Sequence, residues 1–260
     1  MKKWIVCLVF SASVLSLPVF FKGMTNGFRV GKLAYDLPYE PSWDANSSLD
    51  EATLKQPFRY LSHGAQSFVF VSEDKRYILK LFRGDRWAHP WRLYLRHVML
   101  GKKKRLPLYK KDHRLFCACK LAYERASDLT GLVYIHLNPT QSLPKGVVID
   151  NLGRRYTLDL NRYRFAIQER GDSLPKRLAE ANAKELELLT RSFRELLEER
   201  TRRGIANGDT KVHTNFGFIG NKAIEWDFGN YWLDDELRDE TKRQIEIEQF
   251  ASKFKKLAHR

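Results

Sequence analysis

The chain has 260 residues, 43% of them apolar and 13% aromatic, with a formal net charge of +15. That composition is globular and excludes a disordered or fibrous chain, and the length allows one substantial core with attachments. There is no internal repeat, and Cys117 and Cys119, two apart and without a histidine pair to complete a site, exclude a disulfide scaffold and a zinc module.

Met1-Lys2-Lys3 is a basic start, followed by eighteen uncharged and mostly apolar residues from Trp4 to Phe21 and closed by Lys22. Residues 1–22 read as a secretory signal or an uncleaved membrane anchor, and the lack of an A-x-A-like cleavage site favours the anchor, an N-terminal hydrophobic helix. The flanking charges do not set the topology. A domain free of disulfides suits the reducing cytoplasmic side. Residues 23–56 read as a linker, polar and carrying prolines and serines over 36–56.

Strand patterns begin at residue 57. Phe58–Leu61, Phe68–Val71 and Tyr77–Phe82 alternate or run apolar, separated by the turn Ser62–Ser67 with Gly64 and by a polar turn at 73–76. Lys80 is the sole charge in its run, either a solvated edge residue or a phosphate ligand. Residues 83–114 hold eleven Lys/Arg against Asp85 and Asp112, interleaved with Trp87, Trp91 and Tyr94. This basic segment fits a packed stripe with a solvated face, an anionic membrane surface or a nucleic acid backbone; the upstream apolar run favours the membrane, and no specific nucleic acid is expected. A helix over 114–128 carries Glu124, its one glutamate. Strands follow at 133–137, 147–149 and 165–169, and then the longest helical pattern, 175–202, ending before Gly204.

Residues 203–230, RGIANGDTKVHTNFGFIGNKAIEWDFGN, place Asp209, Asn215 and Asp227 in the order that phosphoryl transfer needs: a hydroxyl-orienting carboxylate, an amide and a strand-end carboxylate for magnesium. Asp227-Phe228-Gly229 matches the protein-kinase metal motif, and Asn207-Gly208-Asp209 is similar to the catalytic loop of aminoglycoside phosphotransferases. Over about residues 57–230 the chain resembles the protein-kinase-like superfamily, in a small divergent form similar to aminoglycoside phosphotransferases and bacterial lipopolysaccharide kinase-type enzymes. The resemblance implies an α+β two-lobe fold with a shortened helical C-lobe: a small lobe at 57–169 with a basic insertion at 84–113, and a helical lobe at 172–260.

The resemblance further implies ATP and Mg2+ as cofactors. Lys80 would offset phosphate charge and pair with Glu124. Gly64 would lie over the phosphates, Gln168 to Arg170, including Glu169, would meet the adenine, Asp209 would orient the acceptor hydroxyl, and Asn215 and Asp227 would hold the metal. Departures are the single glycine of the loop and the six-residue step from Asp209 to Asn215, where the protein-kinase pattern has five. The activity implied is phosphate transfer to a sugar, lipid or other small hydroxyl compound. The alternative is an inactive pseudokinase acting as a membrane-tethered interaction module.

Overall fold

The computed structural model describes residues 23–34, 39–84 and 108–258, with side chains from His113 onward in the last stretch. The apolar segment 1–22 and residues 85–107 of the basic segment lie outside the described residues. Among the described residues no helix is long and apolar enough to cross a membrane.

The architecture is mixed α and β around a seven-stranded sheet. Strands β1 (Pro57–His63), β2 (Ser67–Ser72) and β3 (Tyr77–Phe82) form an antiparallel meander. Helix α2 (Leu108–Thr130) follows, after the short α1 (Glu51–Lys55) upstream of the sheet. Then come β4 (Leu132–His136), the hairpin β5 (Lys145–Ile149) and β6 (Arg155–Asp159), and β7 (Phe165–Glu169). The spatial order is β4-β7-β3-β2-β1-β5-β6, in which the β1–β5 pairing alone is parallel. Strand alternation sends Leu79 and Leu81 into the aromatic core under one face of the sheet. Lys80, between them, therefore points to the opposite face, where α2 packs.

Helix α2 buries Leu115, Ala118, Cys119 and Ala122 on one stripe. It ends at Gly131, whose φ of +68° supplies the left-handed turn that a side chain would resist. The predicted helix 175–202 is in fact two, α3 (Leu174–Glu180) and α4 (Ala183–Arg202). Asn182 accounts for the break. Its side chain accepts from the Glu185 backbone N–H at 3.0 Å while the Glu185 carboxylate accepts from the Asn182 N–H at 3.0 Å, a reciprocal cap that starts a new helix. Both helices turn leucines inward, so their apolar pattern runs on across the break.

The remaining elements lie below the large sheet: β8 (Asp172–Ser173), β9 (Ile205–Asn207), the single turn α5 (Val212–Asn215), β10 (Phe216–Ile219), β11 (Lys222–Glu225), β12 (Tyr231–Leu233) and α6 (Glu240–Ala258). Helix α6 packs on α4, with the Phe193 and Phe254 rings stacked at 4.4 Å.

The expected linker is corrected by the packing. Trp43 is 1% exposed and sits edge-on to Phe116 at 4.9 Å, with the Arg164 guanidinium over its ring. Asn138 ties the segment down by donating to the Glu40 carbonyl and the Asp44 carboxylate. Phe28, Leu33 and Leu54 belong to the aromatic core of the sheet. A stretch with few apolar residues read as a linker, yet Phe28, Leu33, Trp43 and Leu54 within it are large and enclosed, and burial scales with area removed from water.

Candidate functional site

A cleft of about 760 Å³ opens between the sheet and the lower elements. The 62–67 turn and Lys80 form its roof, residues 168–173 its rear wall, and Asp209, Lys211, Asn215 and residues 226–230 its floor. Of the residues singled out in the sequence, Gly64, Lys80, Glu169, Asp209, Asn215 and Asp227 all line this one cavity.

Glu124 does not join them. It is exposed on α2 and pairs with Lys120 at 3.5 Å, one turn away. Cys119 occupies the inward position near Lys80 and Asp227, and both charges act on its thiol. The reason is helical phase: Glu124 lies five residues on, about 140° around the helix from Cys119, so it cannot share the buried stripe. Burial pushes the Cys119 thiol far above its ordinary range, leaving it a neutral neighbour for the lysine. Lys80 instead donates to the Trp226 carbonyl at 2.5 Å and lies 5.1 Å from the Phe228 ring. Burial lowers its pKa, and the Asp227 carboxylate acts in the opposite direction.

The floor is a chain of hydrogen bonds between residues close in sequence. Asn207, at the end of β9, accepts from the Asp209 N–H at 2.8 Å and sets the turn that carries Asp209. The Asp209 carboxylate accepts from the Lys211 N–H at 3.2 Å, and its other oxygen lies 3.7 Å from the Lys211 ammonium. The extra residue between Asp209 and Asn215 is taken up by α5, which turns Asn215 back so that its Nδ2 donates to the Asp209 carbonyl at 3.3 Å. The Asn215 carbonyl in turn accepts from the N–H groups of Trp226 at 3.0 Å and Asp227 at 3.4 Å. Asp209, Asn215 and Asp227 are thereby held by one another's backbones. Thr214 also lines the cleft, and its hydroxyl donates to Asn215 Oδ1 at 3.0 Å.

At the rear, the backbone N–H of Glu169 donates to the Gly131 carbonyl and that of Arg170 to the Arg76 carbonyl, each at 2.8 Å. The stretch expected to meet an adenine thus has two of its donors engaged inside the protein. At the roof, Gly64 has open space where a side chain would stand, and its N–H closes the turn onto the Ser67 carbonyl at 2.9 Å. Gln66 does the covering: a Cβ on Gly229 would meet its Oε1 at 2.5 Å, so the loop reaches across the cleft as far as Gly229.

Sequence reasoning missed three features of this site. Lys211, two residues after Asp209, was visible as a cation beside a candidate carboxylate. Trp226 packs so tightly on Gly217 that a Cβ there would meet its Cζ3 at 2.2 Å, which anchors the strand end before Asp227. Beneath the floor, Arg200 and Glu225, both with fully buried side chains, pair at 2.7 Å. Arg200 also reaches Glu246 at 2.8 Å, while Glu225 accepts from Asn207 Nδ2 and Tyr231 Oη at 2.6 Å each. Burial and the Glu225 carboxylate hold the Tyr231 hydroxyl well above its usual range, so it remains a donor. The signal was there: Arg200 falls on the 193–196–197 stripe of its helix, and Glu225 is a charge between the apolar residues Ile224 and Trp226.

Asp227 and Asn215 offer one carboxylate and one amide oxygen, hard donors that suit magnesium. Among the described residues no group of three or more His, Cys, Asp or Glu gathers to hold a metal. The donor set therefore fits an ion that brings phosphate and water ligands of its own, and not a resident all-protein site.

No protein-family model matches the chain, and no curated protein matches it. Among solved structures it is similar to the Rv3197–erythromycin complex from Mycobacterium tuberculosis, at 15% identity and a TM-score of 0.40, covering 90% of this chain and 68% of that one. At that similarity, function has to be argued from the cleft's own residues.

Proposed function

We propose that the cleft binds a magnesium–nucleoside triphosphate and serves a phosphotransferase of the protein-kinase-like superfamily, with a sugar, lipid or other small hydroxyl compound as acceptor. The observation that carries this reading is the convergence of Lys80, Asp209, Asn215 and Asp227 on one cavity from four separate segments of the chain. The strand order β4-β7-β3-β2-β1, with a loop over the cleft between β1 and β2 and the lysine on β3, supports it as well.

In this reading Asp227 and Asn215 would hold a magnesium ion, which would supply charge neutralisation across the phosphates. Lys80 leaves the Trp226 carbonyl for a phosphate oxygen, an exchange that gives its ammonium an anionic partner. Asp209 accepts the acceptor's proton as the hydroxyl oxygen bonds to the terminal phosphorus and the bond to the diphosphate oxygen breaks. Lys211 stands where it can offset charge on the transferred group.

The test is calorimetry with Mg-ATP together with hydrolysis or transfer assays. Asp227→Asn is expected to weaken Mg-ATP binding and remove turnover with the fold intact, since it keeps size and loses charge. Asp209→Asn is expected to leave nucleotide binding nearly unchanged and lower turnover by a factor on the order of 100. Wild-type protein that neither binds nor hydrolyses Mg-ATP would overturn the proposal. One observation favours the second reading, a pseudokinase interaction module: among the described residues no carboxylate of α2 faces Lys80, whose ammonium is held by a backbone carbonyl. Binding of Mg-ATP without turnover would select it.

A further inference from the structure

A second cavity, of about 680 Å³, lies on the outer edge of the large sheet, away from the cleft. Its walls are Thr25, Phe28, Arg29 and Val30 of the N-terminal segment and Arg154 to Thr157 of the β5–β6 hairpin. Three arginines therefore line one space.

Both walls are fixed. Phe28 is 1% exposed and meets Phe68 and Phe70 edge-on at 5.2 Å and Tyr156 at 5.8 Å, while Asn151 Nδ2 donates to the Met24 carbonyl at 3.1 Å. The hairpin turn is organised by Asp150, whose carboxylate accepts from the N–H groups of Leu152 and Arg154, from Arg154 Nε at 2.8 Å and from Tyr156 Oη at 3.0 Å. Gly153, at φ +81°, lets that turn close. The Asp150 carboxylate is thus fully engaged, and among the described residues neither Arg29 nor Arg155, both exposed, has an acidic partner. Asp150 offsets the charge of Arg154, which leaves Arg29 and Arg155 as two cations on one cavity without a counter-charge, and the planar guanidinium fork is matched to phosphate oxygens.

We propose that this cavity binds a phosphate-bearing anion through Arg29, Arg154 and Arg155. The position favours a lipid headgroup over a soluble phosphate. The uncharged run in the sequence ends at Phe21, four positions before Thr25, so a bilayer that received it would lie beside these arginines. This site is independent of the nucleotide reading of the cleft.

The test is arginine modification by phenylglyoxal, read residue by residue by mass spectrometry on the full chain in nonionic detergent. Inorganic phosphate, short-chain phosphatidylglycerol and short-chain phosphatidylcholine are the three additions. Protection of Arg29 and Arg155 by roughly fivefold at four times the Kd is expected from mass action, with Arg59, exposed on β1 outside the cavity, unprotected. Arg29→Gln is expected to remove most of the protection at Arg155, and Arg155→Gln that at Arg29. Protection by phosphatidylglycerol alone identifies a headgroup; equal protection by inorganic phosphate identifies a soluble phosphate ligand. Equal labelling with and without every addition, or protection of Arg59 to the same degree, would overturn the proposal. Both variants alter exposed residues, so unchanged circular dichroism separates loss of the site from loss of fold.

Discussion

Replacing Glu225 by alanine tests whether the buried network under the floor holds the cleft together. The carboxylate is fully buried and accepts from Arg200 Nη1 at 2.7 and 3.0 Å, from Asn207 and from Tyr231. Its removal leaves the Arg200 guanidinium with Glu246 as its remaining carboxylate, and leaves two buried donors without their acceptor. Breaking one side of a buried ion pair costs about 3–5 kcal/mol, and the orphaned donors keep the loss near the upper end. For a chain of this size that corresponds to a fall in Tm of roughly 6–20 °C. The assay is thermal unfolding, with hydrogen exchange at the Asp209 amide as a second readout: Asn207 loses its Nδ2 anchor, so its hold on that N–H loosens and exchange is expected to speed up. An apolar double replacement, Arg200→Met with Glu225→Leu, is expected to recover much of the stability because it removes both charges together. A fall below about 3 °C for Glu225→Ala, the scale of an exposed ion pair, would refute the reasoning.

Gly217→Ala places a methyl 2.2 Å from Trp226 Cζ3 and 2.5 Å from the Asp172 carbonyl oxygen, and is expected to destabilise by about 2 kcal/mol or more in urea unfolding, because backbone cannot retreat. The Glu199 carboxyl, held down to about 2 by hydrogen bonds from Arg202 and then Arg203, contributes stability present above the ordinary glutamate pKa and lost as pH falls from there towards 2. Tm measured across that range should fall less steeply in Glu199→Gln. Lys80 has a depressed pKa, so the unfolded chain binds its proton more tightly and stability without nucleotide should rise as pH climbs between the depressed and ordinary lysine values. Lys80→Met is expected to flatten that rise while weakening Mg-ATP binding in calorimetry; an unchanged slope would show that the buried ammonium is not its source.

The sequence by itself marked the strands β1 to β5 and β7, the helical stretches of α2 and of α3 with α4, and several residues that line the cleft, while it left β6, most of the short strands after residue 203 and α6 unmarked. The runs at 77–82 and 165–169 are strands with those very bounds, since period-two apolar patterning is a local property. Lys80 stood out as a charge in an apolar strand, whereas Gly64, Asp209, Asn215 and Asp227 stood out through the resemblance of their order and spacing to the kinase-like pattern. What only the tertiary structure decided was which partner each of them meets. Glu124 was chosen as the one glutamate of its helix, but the phase of that helix against the sheet turns Cys119 inward and Glu124 to water, and phase is set by packing across the interface. Trp43 and Phe28 sat in stretches whose average polarity resembles a linker, and their burial arises from contacts with strands and a helix far along the chain. The Arg200–Glu225 pair and the arginine-lined cavity are likewise joined by segments separated in sequence by 25 residues and by more than 100, respectively. Local chemistry is written residue by residue, whereas pairing across the fold follows from close packing of distant segments, which no single stretch of the chain contains.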